Sequence, residues 1–514
     1  MLHVIGLGVS ETARLSDEAV AALQHCDVVY GSDRQLATVS GYLVPCSKDA
    51  SFSGNVICTE SSAGTDAVGI DKTTYLNDNG VSQSTVIVPD LCVLPKLSEL
   101  KDQLTDRLSN DQTICVLASG DPLFFGIGRW LKQHFEQWGI SFYPAVSSIQ
   151  TACHKLGLSL QDVQVVSLHG RPLISLRRHL KQNQTLVILT DKHSYPEAIA
   201  QECLTAGFTG FTLTICEDLG YPQERVTTVD VSSEQQIDLS ALSDVSPLHV
   251  SVLQLKQVRP DDQLSPTLVQ ADLAQSSQAQ SEQSQPDRVY LPEFPGIPDQ
   301  HFITDGPAGK GMITKREARL NILSLLQLAK GDVLWDIGAG CGGVAVELSY
   351  WQPGAEVWAI EHHPERLACL EANRERFGVV SNLKVVSGRA PEALNNLPTA
   401  NKVFIGGSDG ELPQLLDLCW QQLPEQGVLV ASAVTENTRQ HLLNFYQQRQ
   451  QATDAQLDTL QVAISKGAEL AGQLMYRPTL PVTLFRFEKQ AVVEKKAQPE
   501  KQVIDDNYQG RAND

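Results

Sequence analysis

The segment VLWDIGAGCGG, residues 333–343, decides how the second half of the chain folds. Val333–Trp335 reads as an apolar strand that runs into Asp336, and Gly338, Gly340, Gly342 and Gly343 follow before a helical pattern begins. Glycines at such a turn let the backbone approach a ligand closely, and the helix start beyond them presents free N–H groups. The next strand, VWAIE (357–361), ends on Glu361, an acid suited to the paired hydroxyls of a ribose. The pattern D-x-G-x-G-x-G, in place of G-x-G-x-x-G, favours S-adenosylmethionine over a nicotinamide dinucleotide, with Asp336 near the sulfonium or amino-acid end. Taken alone, the motif also fits a dinucleotide site or a structural turn.

Outward from this loop, a helix at 315–329 precedes strands at Val333–Asp336, Glu356–Ile360, Leu383–Val386, Lys402–Ile405 and Gly427–Ala431, with helices between them. That alternation is a doubly wound sheet. SGRAPEAL (387–394) sets Arg389 and Ala390 where an adenine would rest on a strand end, although a plain helix cap also accounts for Arg389. KVFIGGS (402–408) offers a glycine pair and no acid before Asp409. A methyltransferase acting on an amine or hydroxyl often keeps a carboxylate or an Asn-Pro-Pro turn there, so its absence favours carbon as the acceptor. Upstream, TDGPAGKGMITKREAR (304–319) gathers Lys310, Lys315, Arg316 and Arg319 beside the glycine loop. Any one of them alone is best read as a solvated charge; as a cluster they suit substrate carboxylates.

In the first half, VIGLGVS (4–10) opens as a strand and glycine turn, with Gly6 and Gly8 at the turn. Strands are predicted at His3–Leu7, Asp27–Tyr30, Thr113–Ala118, Val163–Leu168, Thr185–Leu189, Phe211–Cys216 and Leu248–Leu253, and helices at Leu97–Leu108, Phe124–Phe135 and Ser148–Leu156. The order implies largely parallel α/β units, with a more mixed sheet in the later part. ASGDPLFFGIG (118–128) closes a strand on Gly120 and Asp121, and YPAVSSIQ (143–150) sets Ala145 and Ser148 at a helix start, where Ser147 and Ser148 cap the helix or meet a ligand. SLHGR (167–171) ends another strand with His169 and Arg171, of which His169 is a proton carrier or a structural histidine.

The 514 residues carry a net charge of −20, which repels phosphates and argues against nucleic-acid or membrane-surface binding while leaving room for a local basic pocket. The 11 cysteines form no C-x-x-C pair, as expected in a reducing compartment and not in a disulfide or zinc framework. Neither a signal peptide nor an apolar run near the ~18 residues of a membrane span is evident. A soluble cytoplasmic protein is expected, and a homo-oligomer is compatible. The organisation expected is a first module at 1–256 with a surface insertion at about 47–83, a Gln/Ser-rich linker at 257–295, a second module at 296–487 and a charged tail at 488–514.

GLG, SGDPLFFGIG, PAVSSIQ and ICEDLGYPQER (215–225) resemble the tetrapyrrole (corrin/porphyrin) methylase family, and SLHGR with FFGIG resembles its precorrin-6Y methylase branch. The second half, from GIPDQHF (296–302) through MITKREAR, DIGAGCGG, SGRAPEAL and VFIGG, resembles the decarboxylating precorrin methyltransferases, which are class I enzymes. The resemblance implies a tetrapyrrole-methylase fold of two α/β subdomains, followed by a Rossmann-like class I domain. It also implies one S-adenosylmethionine per module, no metal and a tetrapyrrole substrate. The family methylates a precorrin at carbon 5 with the first type of module. With the second it methylates carbon 15 and decarboxylates the ring C acetate, on the way to vitamin B12. Carried over, cofactor contacts fall on Gly6, Gly8, Gly120, Asp121, Ala145 and Ser148, then on Thr314, Asp336, Gly338, Ala339, Gly340, Cys341, Gly342, Glu361 and Ala390. Substrate contacts fall on Lys310, Lys315, Arg316, Arg319, His169 and Arg171. The first turn, GLGVS, lacks the proline many relatives carry after the second glycine. Two rivals are a two-module RNA methyltransferase and a binding scaffold with one degenerate module.

Overall fold

The computed structural model describes residues 1–43, 89–208, 210–231, 242, 244–256, 292–306 and 311–491. The expected insertion at 47–83, the linker as far as 291 and the tail from 492 lie outside the described residues, as does Lys310. The chain divides into two compact units, Met1–Val289 and Tyr290–Asp514.

The first unit holds two five-stranded sheets. In the first sheet β1 (Leu2–Gly6), β2 (Val28–Gly31), β3 (Asp90–Val93), β4 (Ile114–Ala118) and β5 (Ile140–Tyr143) run parallel in the order β3-β2-β4-β1-β5. The strands β1, β2 and β4 are buried almost throughout, because both faces of a parallel sheet are covered. The second sheet is mixed. It orders β6 (Val163–Ser167), β7 (Thr185–Leu189), β8 (Phe211–Glu217), β9 (Arg225–Val231) and β10 (His249–Leu255) as β6-β7-β10-β8-β9, with only the first pair parallel.

The expected helix at Phe124–Phe135 is shorter, spanning Gly128–Phe135. The Asp121 carboxylate accepts the amides of Leu123 and Phe124, and Phe125 takes a left-handed φ of 58°, so this stretch turns before the helix can start.

In the second unit β11 (Val333–Ile337), β12 (Glu356–Glu361), β13 (Leu383–Ser387), β14 (Lys402–Ile405) and β15 (Val428–Ala433) form the parallel part of a seven-stranded sheet. The sheet is completed antiparallel by β16 (Ala455–Val462) and β19 (Val482–Lys489), in the order β13-β12-β11-β14-β15-β19-β16. Between those two strands β17 (Ser465–Leu470) and β18 (Gln473–Pro478) pair as a separate hairpin. One core packs around Ile322, Leu334, Val346 and Leu370, and the other around Trp335, Leu415, Phe445 and Phe487. The α/β class expected from the sequence is the class observed. The helix expected at 315–329 is observed at Arg316–Leu326, stopped by the left-handed Gln327 (φ 47°). No described helix is long and apolar enough to cross a membrane.

Candidate active site

A cavity of about 770 Å³ opens at the carboxyl ends of β11, β12 and β14 in the second unit. The order β12-β11-β14 places it where the sheet reverses direction from β11, the position at which doubly wound sheets bind ligands. Ile337–Gly340, Glu361, Gly388–Ala390 and Gly406–Asp409 wall one side. Met312–Lys315, Val434, Ile464, Lys466 and Leu480 are among the residues that wall the rest.

Two glycines of the loop are fixed by geometry. Gly338 has φ 72°, and a Cβ there would lie 2.6 Å from the Gly407 carbonyl oxygen. Gly340 has φ 59°, and a Cβ would lie 2.5 Å from the Met312 carbonyl oxygen. The loop is also cross-tied. The amides of Gly338 and Ala339 both donate to the Ile360 carbonyl at 3.0 Å, and the Cys341 amide donates to Met312. These amides are therefore spent inside the protein, and what the loop offers a ligand is close backbone approach.

Glu361 is buried at the cavity wall. Its Oε2 accepts the Gly340 amide at 2.9 Å, and its Oε1 accepts the amides of His362 and His363 at 2.8 and 2.9 Å. With about two lone pairs per oxygen, Oε2 keeps one acceptor position for a hydroxyl while Oε1 is filled. Beside it, Asp409 Oδ2 lies 3.2 Å from both His362 Nε2 and Arg389 Nη2 and ties two cavity walls together. Asp409 and His362 were missing from the sequence-based site; the acid two residues past the glycine pair was the available signal. Donor atoms of Glu361, His362 and His363 gather within 4.8 Å, a spacing that could hold a metal, but Oε1 is already filled by two amides.

Thr314, Lys315 and Ala390 line the cavity, together with Gly338, Ala339 and Gly340. Asp336, Cys341, Gly342 and Arg316 are not brought to it. Cys341 points instead at Asp305, with Sγ 3.6 Å from Oδ1. Arg319 overturns its expected role as a substrate contact. It is fully buried, with Nε donating to Glu347 at 2.6 Å, Nη1 to Asp299 at 3.0 Å and Nη2 to the Ile297 carbonyl, and its guanidinium stacks on Phe302. The helix Arg316–Leu326 turns this residue inward with Ala318 and Ile322, so its charge clamps the segment 297–302 and cannot meet a ligand.

Asp336 is buried beneath the loop, and among the described residues neither carboxylate oxygen makes a well-formed hydrogen bond, although the Ala345 amide lies close. Burial pushes its pKa up to about 7; the Ala345 amide offsets part of that rise and the Glu361 charge adds to it. A carboxyl raised in this way binds a proton on folding, so the unit loses stability as pH climbs from 3.8 to about 7. Asp336→Asn is therefore expected to stabilise the second unit by a few kcal/mol at pH 8 and by less at pH 5. Melting curves at the two pH values check this, and an equal offset at both would contradict it.

The first unit has a smaller cavity of about 130 Å³ between its two sheets. Gly8, Gly120 and Ser148 line it, beside Val9, Phe124 and Phe125. The Gly120 amide donates to the Gly8 carbonyl at 3.1 Å, which joins the two glycine turns. Gly6 packs behind, where a Cβ would lie 2.5 Å from the Gly120 carbonyl. Asp121 and Ala145 do not line the cavity; the Asp121 carboxylate is occupied by the turn described above. Ser147 is a helix cap in a full capping box. His169 and Arg171 are exposed and away from the cavity. Arg34 and His249, which the sequence did not single out, stand in its wall instead. Arg34 donates to Tyr221 Oη at 3.0 Å and to Ser119 Oγ at 3.1 Å. His249 Nε2 lies 2.8 Å from Thr190 Oγ1, and burial lowers its pKa.

Residues 1–233 match the model of the tetrapyrrole (corrin/porphyrin) methylases, and residues 306–489 match that of the precorrin methyltransferase domain. A Sinorhizobium protein named precorrin-6Y C(5,15)-methyltransferase [decarboxylating] is 30% identical over 491 residues, 95% of this chain and 96% of its own length. The chain belongs to the precorrin-6Y C(5,15)-methyltransferase (decarboxylating) family. A Pyrobaculum aerophilum protein named as a probable cobalt-precorrin-6B C(15)-methyltransferase (decarboxylating) is 35% identical over 190 residues, 37% of this chain and 93% of that protein. A solved structure titled precorrin-6y C5,15-methyltransferase, from Geobacter metallireducens, is 34% identical, with 38% of this chain and 98% of that chain covered at a TM-score of 0.35.

Membership of the precorrin-6Y C(5,15)-methyltransferase family brings S-adenosylmethionine as the methyl donor. The structure extends the matched ranges. The tetrapyrrole-methylase match stops at residue 233, yet β10, the central strand of the second sheet, lies beyond it. The precorrin methyltransferase match starts at 306, after the segment that Arg319 holds. In this family member the turn after β8 meets the first glycine turn at Gly220. Gly220 has φ 79°, and a Cβ there would fall 1.8 Å from the Val9 carbonyl oxygen. Gly220→Ala must push the two turns apart, and overpacking of that kind costs about 1–3 kcal/mol before left-handed strain is added. The urea midpoint of the first unit is expected to drop; an unchanged midpoint would contradict this contact.

Proposed function

We propose that each unit binds one S-adenosylmethionine, the first unit methylating carbon 5 of a precorrin and the second methylating carbon 15 and decarboxylating the ring C acetate. The observation that carries this is the second-unit cavity: one space is lined both by the Gly338–Gly340 loop and Glu361 and by apolar side chains such as Ile313, Val434, Ile464 and Leu480. The donor, when bound, supplies a methyl already activated on a sulfonium, so an electron-rich ring carbon can attack it in line.

The protein's part is positioning and exclusion of water. Gly338 and Gly340 let the donor lie against the backbone, and the free acceptor position on Glu361 Oε2 holds a ribose hydroxyl. Ala390 closes the adenine end beside Arg389. Gly406 and Gly407 put no carboxylate at the acceptor position, which suits a carbon nucleophile that has no N–H or O–H proton to give up. Ile313, Val434, Ile464 and Leu480 supply an apolar face for a flat macrocycle, and Lys315 lines the same cavity for its carboxylate arms. The Pyrobaculum relative, with a match about the size of one unit, carries both carbon 15 and the decarboxylation in its name, which supports giving both steps to one unit. The RNA methyltransferase reading gains no support. The relatives reported above are precorrin enzymes by name, and a net charge of −20 repels phosphates.

Incubation with precorrin-6B, metal-free and with cobalt in separate arms, and a labelled methyl donor tests the proposal by mass spectrometry. The expected product has gained two methyl groups and lost one carbon dioxide. Unchanged substrate in both arms would overturn the reading.

A further inference from the structure

Loss of carbon dioxide is only half of a decarboxylation. The bond between methylene carbon and carboxylate breaks, carbon dioxide departs, and the electron pair stays on the methylene carbon, spread into the conjugated ring. That carbon must then form a C–H bond to become a methyl group, so an acid has to stand within reach of it.

Apart from the glycine loop, the second-unit cavity is lined by the apolar side chains of Ala318, Val434, Val462, Ile464, Leu480 and Val482, among others. Its described hydroxyl donors, Thr314, Ser408, Ser432 and Thr479, are far weaker acids than an ammonium. Lys315 also lines the cavity and is assigned above to the carboxylate arms of the substrate. Lys466, on β17, also lines the cavity. Its Nζ lies 3.2 Å from Glu317 Oε1, and Glu317 also lines the cavity. Burial works against ionising Glu317, but a hydrogen bond from its own backbone amide and the Lys466 ammonium outweigh it and hold the carboxyl below the usual range.

We infer that Lys466 is the acid that delivers the proton to the methylene carbon as carbon dioxide leaves, with Glu317 as its positioning residue. The proton passes from Lys466 Nζ to carbon, the electron pair of the broken C–C bond forms the new C–H bond, and Lys466 is left neutral. Half exposed, it recovers a proton from water. The Glu317 carboxylate, fixed beside the acetate arm, favours the departure of that second negative charge as neutral carbon dioxide. The apolar wall works in the same direction by leaving the substrate carboxylate poorly solvated.

The inference rests on the function proposed above, and the test separates the two. Release of labelled carbon dioxide and methyl transfer to carbon 15 are measured separately in the full chain, in Lys466→Arg and in Lys466→Gln. S-adenosylhomocysteine affinity is measured alongside. Arginine keeps the charge and the pairing with Glu317 but does not give up its proton. Both variants are expected to bind S-adenosylhomocysteine like the parent. Both are expected to slow carbon dioxide release by about 100-fold or more, the usual worth of a general acid, and to slow methyl transfer far less, so that a methylated, still carboxylated product accumulates. Glu317→Gln should lower the ratio of carbon dioxide to methyl, and Glu317→Asp should restore part of it. Carbon dioxide release at the parent rate in Lys466→Arg overturns the assignment. So does an equal fall of both steps, which is the mark of an anchor for a substrate carboxylate. If the parent itself releases no carbon dioxide, the functional reading fails first and the Lys466 assignment with it.

Discussion

Arg319→Met is expected to destabilise the second unit by about 3–5 kcal/mol, the usual cost of removing one partner from a buried ion pair. Arg319 and Glu347 are both fully buried, and the guanidinium also reaches Asp299 and the Ile297 carbonyl. After the substitution, among the described residues, Glu347 keeps the amides of Gly296 and Ile297 to offset its charge. The segment 296–302 loses its clamp at the same time, so the helix Arg316–Leu326 loses one of its covers. Calorimetric scans of the full chain should show the second unit melting early. Adding Glu347→Leu to the same chain should recover much of the loss, because an apolar pair then replaces an orphaned charge. A second unit that melts as in the parent would show that the buried network contributes little.

Glu361→Ala is expected to remove methylation at carbon 15 and carbon dioxide release while methylation at carbon 5 continues. The substitution deletes the acceptor of three backbone amides, at Gly340, His362 and His363, together with the position offered to a ribose hydroxyl. Charge-assisted hydrogen bonds are worth about 1.5–3 kcal/mol each, so loss of the ribose contact alone weakens donor binding by about 10- to 100-fold. Loosening of the glycine loop adds to that. Mass spectrometry of the product should show one added methyl and an intact carboxyl. A product with two methyls would mean that Glu361 does not hold the donor.

Much of the fold was legible because the central parallel strands are continuous apolar runs. Thr185–Leu189 and Lys402–Ile405 fall where the apolar pattern puts them. The antiparallel additions were not legible for the same reason. β16 alternates between half-buried and exposed positions, and β18 is exposed throughout, so neither carries the run that marks a buried strand. The glycine loop and Glu361 were legible because their spacing is local. Arg319 was misread because a basic residue in a basic stretch gives no sign of which helix face it occupies. Only the fold reveals that Glu347 and Asp299 wait on the inner side. Asp336 was read as a ligand contact from its place in the motif, yet its side chain lies in the core, where burial draws it toward neutrality. In the first unit, Arg34 and His249 reach the cavity from far apart in the chain, and no local spacing could pair them with Gly120.

That both halves grip the same sulfonium donor is tested most directly by calorimetric titration of the full chain with S-adenosylhomocysteine. Two sites per chain are expected, falling to one in Gly338→Val, where the added side chain would meet Gly407. A single site in the parent, or two sites that survive Gly338→Val unchanged, would contradict it.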